Sequence, residues 1–274
     1  ILACNGYGGN PEMVQEHIPE MAAAEYFGHP GNQGDAIKWG GSLGAAVKHM
    51  GAYQGHGSIA TPHGILITWA LMMEGGIQVN CFGERFSNEH RGYSEQAVAV
   101  LSQPNQVAWL IIDDRLLALG QEFEEFKLAE TAGAVLHGSS VKDLSRKTGI
   151  PSAPLEATLR QVIAYTNGRY FDPRGRDFTS HAPLVPPFHA IKVTGALFHT
   201  QGGLEVDAHA RVLRTDKSPL PNLYAGGGAA CGISGSQVWG YLSGNGLLTA
   251  VNLGRLAGRT AAKQIEVEGN KYVD

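Results

Sequence analysis

Apolar positions in residues 1–57 predict a terminal strand at Ile1–Cys4, a short helix opened by Asn10-Pro11, and a longer helix from about Gly34 to Met50. Asparagine before proline is a sound start signal: the side chain caps the first turn, and proline has no N–H to leave unpaired. From about Ser58 to Pro186 the rhythm changes. Ile77-Gln-Val-Asn-Cys-Phe82 alternates like a strand, and Phe82-Gly-Glu-Arg-Phe86 can turn it back as a hairpin. Ser94–Leu101 reads as helix and Val107–Ile112 as a buried strand. Helices are predicted near Gln121–Ala132, Ser140–Thr148 and Pro154–Ala164, the last with Leu155, Leu159 and Val162 on one face. Asp172-Pro-Arg-Gly-Arg-Asp177 and prolines 183, 186 and 187 mark loops, after which Ala190–Thr194 and Gly203–Asp207 read as strands.

The C-terminal run carries the most chemistry. Asn222-Leu-Tyr-Ala-Gly-Gly-Gly-Ala-Ala-Cys231 reads as a short strand and a glycine-lined turn. Gly240-Tyr-Leu-Ser-Gly-Asn-Gly-Leu-Leu follows, with Ser243 or Asn245 able to cap a helix. On that helix Leu247, Leu248 and Val251 recur at helical spacing, and Gly254 and Gly258 continue the face as a smooth strip for close packing. The free N–H groups of its first turn would stabilise negative charge on a flat ligand lying against the glycines.

Composition narrows the choices. The chain has 274 residues and 37 glycines, an excess that suits backbone packed against a large ligand. A formal net charge of −4 with no basic block argues against nucleic acid. The longest uncharged apolar run, Gly64–Met73, is well short of the ~18 residues that a membrane span needs. Cys4, Cys81 and Cys231 are widely spaced, with no metal-type pairing, and suggest a reducing, cytoplasmic setting.

These segments resemble the fumarate reductase and succinate dehydrogenase flavoprotein superfamily, which also holds the 3-ketosteroid dehydrogenases. Besides the C-terminal signature, Ile1-Leu-Ala-Cys-Asn-Gly-Tyr-Gly-Gly-Asn10, Gly31-Asn-Gln-Gly-Asp-Ala-Ile37, Gln54-Gly-His56, Ser87-Asn-Glu89 and Phe198-His-Thr-Gln-Gly-Gly203 follow in the family's order. The resemblance implies an α/β and α+β fold: an incomplete Rossmann-like FAD-binding domain (1–57 and 187–274) with an inserted α+β capping domain (58–186). No Gly-x-Gly-x-x-Gly stands between a strand and a helix, so the chain resembles the later portion of such a flavoprotein.

For FAD, the resemblance points to Ala3, Asn5, Gly6 and Asp35, then to Gly227, Gly228, Ser243, Asn245, Leu247 and Leu248. Asn5 stands where glycine is commonest, and Gly228 where many relatives have a glutamate. For substrate it points to His56, His199 and Thr200 as hydrogen-bond donors to a carbonyl or carboxylate oxygen, with Arg91 or Tyr93 handling the proton. Tyr241 stands where an arginine clamp is expected, and a phenol cannot grip a carboxylate with an arginine's two-pronged fork. The expectation is an FAD-dependent oxidoreductase acting on a carbon–carbon bond next to a carbonyl or carboxyl group, with an electron donor or acceptor that the sequence does not name. The alternatives are a fumarate or succinate enzyme of dicarboxylate type, and an inactive fragment that binds no FAD by itself. A pure protein-interaction module has no positive support in the sequence.

Overall fold

The computed structural model describes residues 1–239 and 241–269; Gly240, which opens the second C-terminal motif, lies outside the described residues. In chain order the elements begin with α1 (Pro11–His17), β1 (Glu25–Tyr26), α2 (Asp35–Ser42), β2 (Val47–Lys48), β3 (Tyr53–Ala60) and β4 (Ile65–Leu66). Then come α3 (Ala70–Met73), β5 (Ile77–Val79), α4 (Tyr93–Leu101), β6 (Val107–Asp113), α5 (Asp114–Gly120) and α6 (Glu124–Thr131). Next are β7 (Val135–Gly138), α7 (Val141–Thr148), α8 (Ser152–Thr166), β8 (Phe188–Thr200) and β9 (Gly203–Leu204). The last are β10 (Arg211–Leu213), β11 (Pro219–Tyr224) and α9 (Asn245–Gly269). The fold is mixed α/β. It divides into two compact units, Ile1–Gln54 with Leu197–Asp274, and Gly55–Ala196. The chain passes between them twice, once within β3 and once within β8.

In the Gly55–Ala196 unit a sheet runs β4-β3-β8-β6-β5, with β7 also paired to β8. β6 lies antiparallel to β8 from Val107↔Thr194 to Asp113↔Phe188. Ala108 through Ile112 are all buried, so the strand is covered on both faces, as its unbroken apolar run requires. Ile77, Leu110, Ile111, Phe126, Leu144 and Ile191 belong to one core.

Four buried side chains of this unit form one charged network. Arg85 meets Glu89 through Nε at 2.9 Å and Nη2 at 2.6 Å, and reaches Asp172 at 3.1 Å. Arg176 donates to Glu89 at 3.1 Å and to the carbonyls of Gly76 and Met72 at 2.8 Å each. Both guanidiniums stack on Phe178, at 4.8 and 4.3 Å. Burial alone would raise the Glu89 carboxyl, but Arg85 and then Arg176 outweigh it and bring the pKa down to about 2. The pairing therefore stabilises the fold above the ordinary value of 4.5 and is lost as pH falls towards 2. Glu89→Gln leaves two buried guanidiniums undercompensated. It is expected to cost about 3–5 kcal/mol in urea unfolding at pH 7, and a loss below 1 kcal/mol would mean that the network is not closed as described.

In the other unit, Leu2 bridges Ala225 in parallel, its N–H donating to Tyr224 O at 2.7 Å while its carbonyl accepts Gly226 N–H at 3.0 Å. β10 and β11 form an antiparallel pair, as do β2 and β9. A small core of Ala36, Leu204, Val212, Leu220, Ala225 and Ala229 packs beneath them.

Several expectations are corrected. The helix predicted over 34–50 stops at Ser42, because Gly40 and Gly41 close a turn and Gly44 takes a left-handed φ of 79°. The helix predicted near 121–132 is α6, over Glu124–Thr131, while α5, over Asp114–Gly120, was not foreseen; it begins where Asp113 Oδ1 accepts Leu116 N–H at 3.2 Å. The predicted apolar face of α9 is exposed, with Leu247 at 77% and Val251 at 67% of full accessibility. A Cβ on Gly254 or Gly258 would meet nothing within 4 Å. The buried side of α9 instead carries Asn245, Thr249 and Ala257.

Candidate functional site

Strand β8 ends by delivering His199 and Thr200 beside the first glycine turn. Thr200 Oγ1 accepts Tyr7 N–H at 3.1 Å, which leaves the hydroxyl proton available to another acceptor. A Cβ on Gly6 would strike the same oxygen, so glycine at this position lets turn and strand touch. Asn5 holds a φ of 63°, a conformation asparagine tolerates, and its Oδ1 accepts Gly6 N–H at 2.9 Å.

The two departures from the family pattern meet in space. A Cβ on Gly228 would collide with Asn5 Oδ1 and lie 3.2 Å from its Cγ. The Asn5 carboxamide thus fills the room that a side chain at 228 would need. Gly227, beside it, holds a φ of 57°.

The first turn of α9 closes the ring of residues. A Cβ on Gly246 would lie 3.1 Å from His199 Cε1 and 3.2 Å from Nε2, so the imidazole edge faces the helix start. Ala3, Asn5, His199, Thr200, Gly227, Gly228 and Leu247 all line one cavity of about 430 Å³, together with Gln201, Gly246 and Thr249. Its size suits a small-molecule site. Gly6 lies buried under Thr200, and Asn245, the first residue of α9, is buried with its side chain bonded to Gln201 and Ser234 instead of capping the helix. Asp35 opens α2, and Ser243 and Leu248 are exposed; none of the three belongs to the lining. Tyr241 sits edge-on to His199, ring centroids 6.1 Å apart, with its hydroxyl donating to Gln54 Oε1 at 3.0 Å.

Gln201 is the residue that the sequence reading passed over. Its signal was visible: a polar amide stands two positions after a candidate histidine, within the Phe198-His-Thr-Gln-Gly-Gly203 motif. Burial lowers the His199 pKa, partly offset by the Thr200 carbonyl, which favours the neutral ring.

The remaining candidates lie in the Gly55–Ala196 unit. His56 stacks on Tyr93 at 5.1 Å and meets Trp69 edge-on at 5.6 Å, making an aromatic group in which Trp69 was not foreseen. Arg91 is exposed, two residues from Tyr93. Burial lowers the His56 pKa from 6.5 to about 4.

Gly228→Ala is expected to lower the melting temperature by several degrees, and adding Asn5→Gly is expected to recover most of that loss; additive effects would disprove the interlock. Between pH 6.5 and about 4 the unfolded chain binds a proton at His56 that the folded chain does not, so stability falls on acidification across that window. His56→Gln is expected to remove up to about 3 kcal/mol of that pH-dependent loss, read from urea unfolding at the two ends of the window.

Comparison with known proteins identifies the family. The family model described as FAD binding domain matches residues 1–247. A fumarate reductase (cytochrome) of Shewanella frigidimarina is 29% identical over 269 residues, covering 96% of this chain and 45% of that protein. A 3-oxosteroid 1-dehydrogenase of Mycobacterium tuberculosis is 27% identical over 303 residues, covering 96% of this chain and 52% of that protein. The solved open conformation of a flavocytochrome c3 fumarate reductase matches with a TM-score of 0.75 at 28% identity, over 96% of this chain and 46% of that one. The chain spans about half the length of these relatives. Among the described residues no helix is long and apolar enough to cross a membrane.

Proposed function

We propose a function on one premise: this chain belongs to the FAD binding domain family, and its cofactor is FAD. The residues present fit that group. Gly227, Gly228 and Gly246 keep side chains off the cavity wall, and α9 presents a first turn whose leading N–H groups have no intrahelical acceptor. At that same turn, Asn245 Oδ1 is buried and accepts no hydrogen bond from the protein. When bound, FAD supplies hydride exchange at its N5 atom.

The reading favoured here is that the full-length protein reduces or introduces a carbon–carbon double bond beside a carbonyl or carboxyl group. The observation that carries it is the meeting of His199, Thr200 and the α9 first turn on one cavity. A neutral His199 and the Thr200 hydroxyl can each donate to a substrate oxygen, drawing electron density from the neighbouring double bond. Tyr241, edge-on to His199, fits an additional proton donor. Within the Gly55–Ala196 unit, His56 is proposed as a further donor to the substrate oxygen and Tyr93 or Arg91 as the group that handles the proton. In this reading Ile1–Gln54 with Leu197–Asp274 forms part of a Rossmann-like flavin domain, supported by the parallel Leu2–Ala225 bridge, and Gly55–Ala196 is the cap.

A dicarboxylate of fumarate type is the second reading, favoured by relatives named fumarate reductase. It needs a cation supplied from elsewhere than position 241.

Turnover of the full-length protein with Tyr93→Phe, Arg91→Ala and Tyr241→Phe variants tests the assignment. Loss of the proton donor is expected to slow turnover by about 10²-fold or more in at least one of them. Full activity in all three would overturn the proposed roles.

A further inference from the structure

His199 is held by a chain of buried amides that the proposed chemistry has not used. Ser234 Oγ accepts Leu242 N–H at 3.0 Å and Asn245 Nδ2 at 2.7 Å. Asn245 Nδ2 also donates to Gln201 Oε1. With its oxygen turned to Asn245, Gln201 sets its Nε2–H group nearer to His199 Nδ1, at 3.1 Å, than to Nε2, at 3.5 Å. Gln201, Asn245 and Ser234 are all buried, so each donor must find its acceptor within the protein. Gly232 makes the arrangement possible: a Cβ there would run into Gln201 Oε1 and lie 3.1 Å from Asn245 Nδ2.

The direction of these bonds has a chemical consequence. A neutral imidazole carries its single proton on one nitrogen, and the partner of the other nitrogen decides which. Gln201 makes the shorter of its two contacts with Nδ1, which favours a lone pair on Nδ1 and the proton on Nε2. That nitrogen lies on the ring edge facing Gly246 and the cavity. The competing arrangement, with Nδ1–H donating to the Thr200 carbonyl at 3.4 Å, offers a longer and poorer bond.

We infer that Gln201, steered by Asn245 and Ser234, is a positioning residue that locks His199 as an Nε2–H donor. Resting on the reading of His199 as a substrate-oxygen ligand, this assigns the imidazole one role: it gives a hydrogen bond to the substrate and does not take its proton. A protonated His199 would set Nδ1–H against the Gln201 amide hydrogens, so the relay opposes the charged form as well. Methionine at 201 would leave Nδ1 with no such instruction.

The tautomer can be read directly from the imidazole ¹⁵N shifts of ring-labelled full-length protein at pH 8, with His199→Gln identifying the signal. Wild-type protein is expected to show the Nε2–H form. Gln201→Met is expected to raise the Nδ1–H share several-fold, about what one lost hydrogen bond is worth. Gln201→Glu, whose carboxylate accepts from Nδ1, is expected to invert the tautomer. An Nδ1–H signal in wild type, or an unchanged Nε2–H signal in Gln201→Glu, would overturn the proposal; the wild-type spectrum decides even if a variant fails to fold. These spectra require neither turnover nor substrate, so they stand or fall apart from the activity assignment.

Discussion

The architecture of the cavity depends on one hydrogen bond between segments far apart in sequence, Tyr7 N–H to Thr200 Oγ1. It draws the first glycine turn against the end of β8, and only a residue without a side chain at position 6 allows the approach. From that contact the rest is propagated by close backbone. Gly228 reaches Asn5, Gly232 clears the Gln201 amide, and Gly246 rests beside the imidazole. A glycine-rich composition is here a geometric requirement. Three stretches of chain must converge tightly enough to leave a wall of peptide groups, and side chains would hold them apart.

Much of the local structure was legible because it follows from short-range chemistry. The Asn10 cap on α1 is where the asparagine–proline pair puts it, with Oδ1 accepting Glu12 and Met13 N–H. The strand at 107–113 follows from an uninterrupted apolar run, and the start of α7 follows from the Ser140 cap. The motifs at residues 1–10, 198–203 and 226–228 are recognisable as a set, and the structure brings most of their candidate residues to one cavity.

What was not legible depends on partners distant in sequence. The exposed face of α9 looks, by periodicity, like any buried one, since apolar spacing says that a face is sticky and not what covers it. Gln201 could be noticed as an amide near His199, but its contact with Asn245, 44 positions away, and the space left at Gly232 are set by the tertiary fold. The quartet of Arg85, Glu89, Asp172 and Arg176 joins two segments that read separately as a turn and a loop.

The Asn5–Gly228 interlock makes the two positions interdependent as sites of change. A side chain at 228 and the Asn5 carboxamide compete for the same volume, so what is tolerated at one depends on what stands at the other. Reshaping the binding wall at this point therefore means altering both residues together.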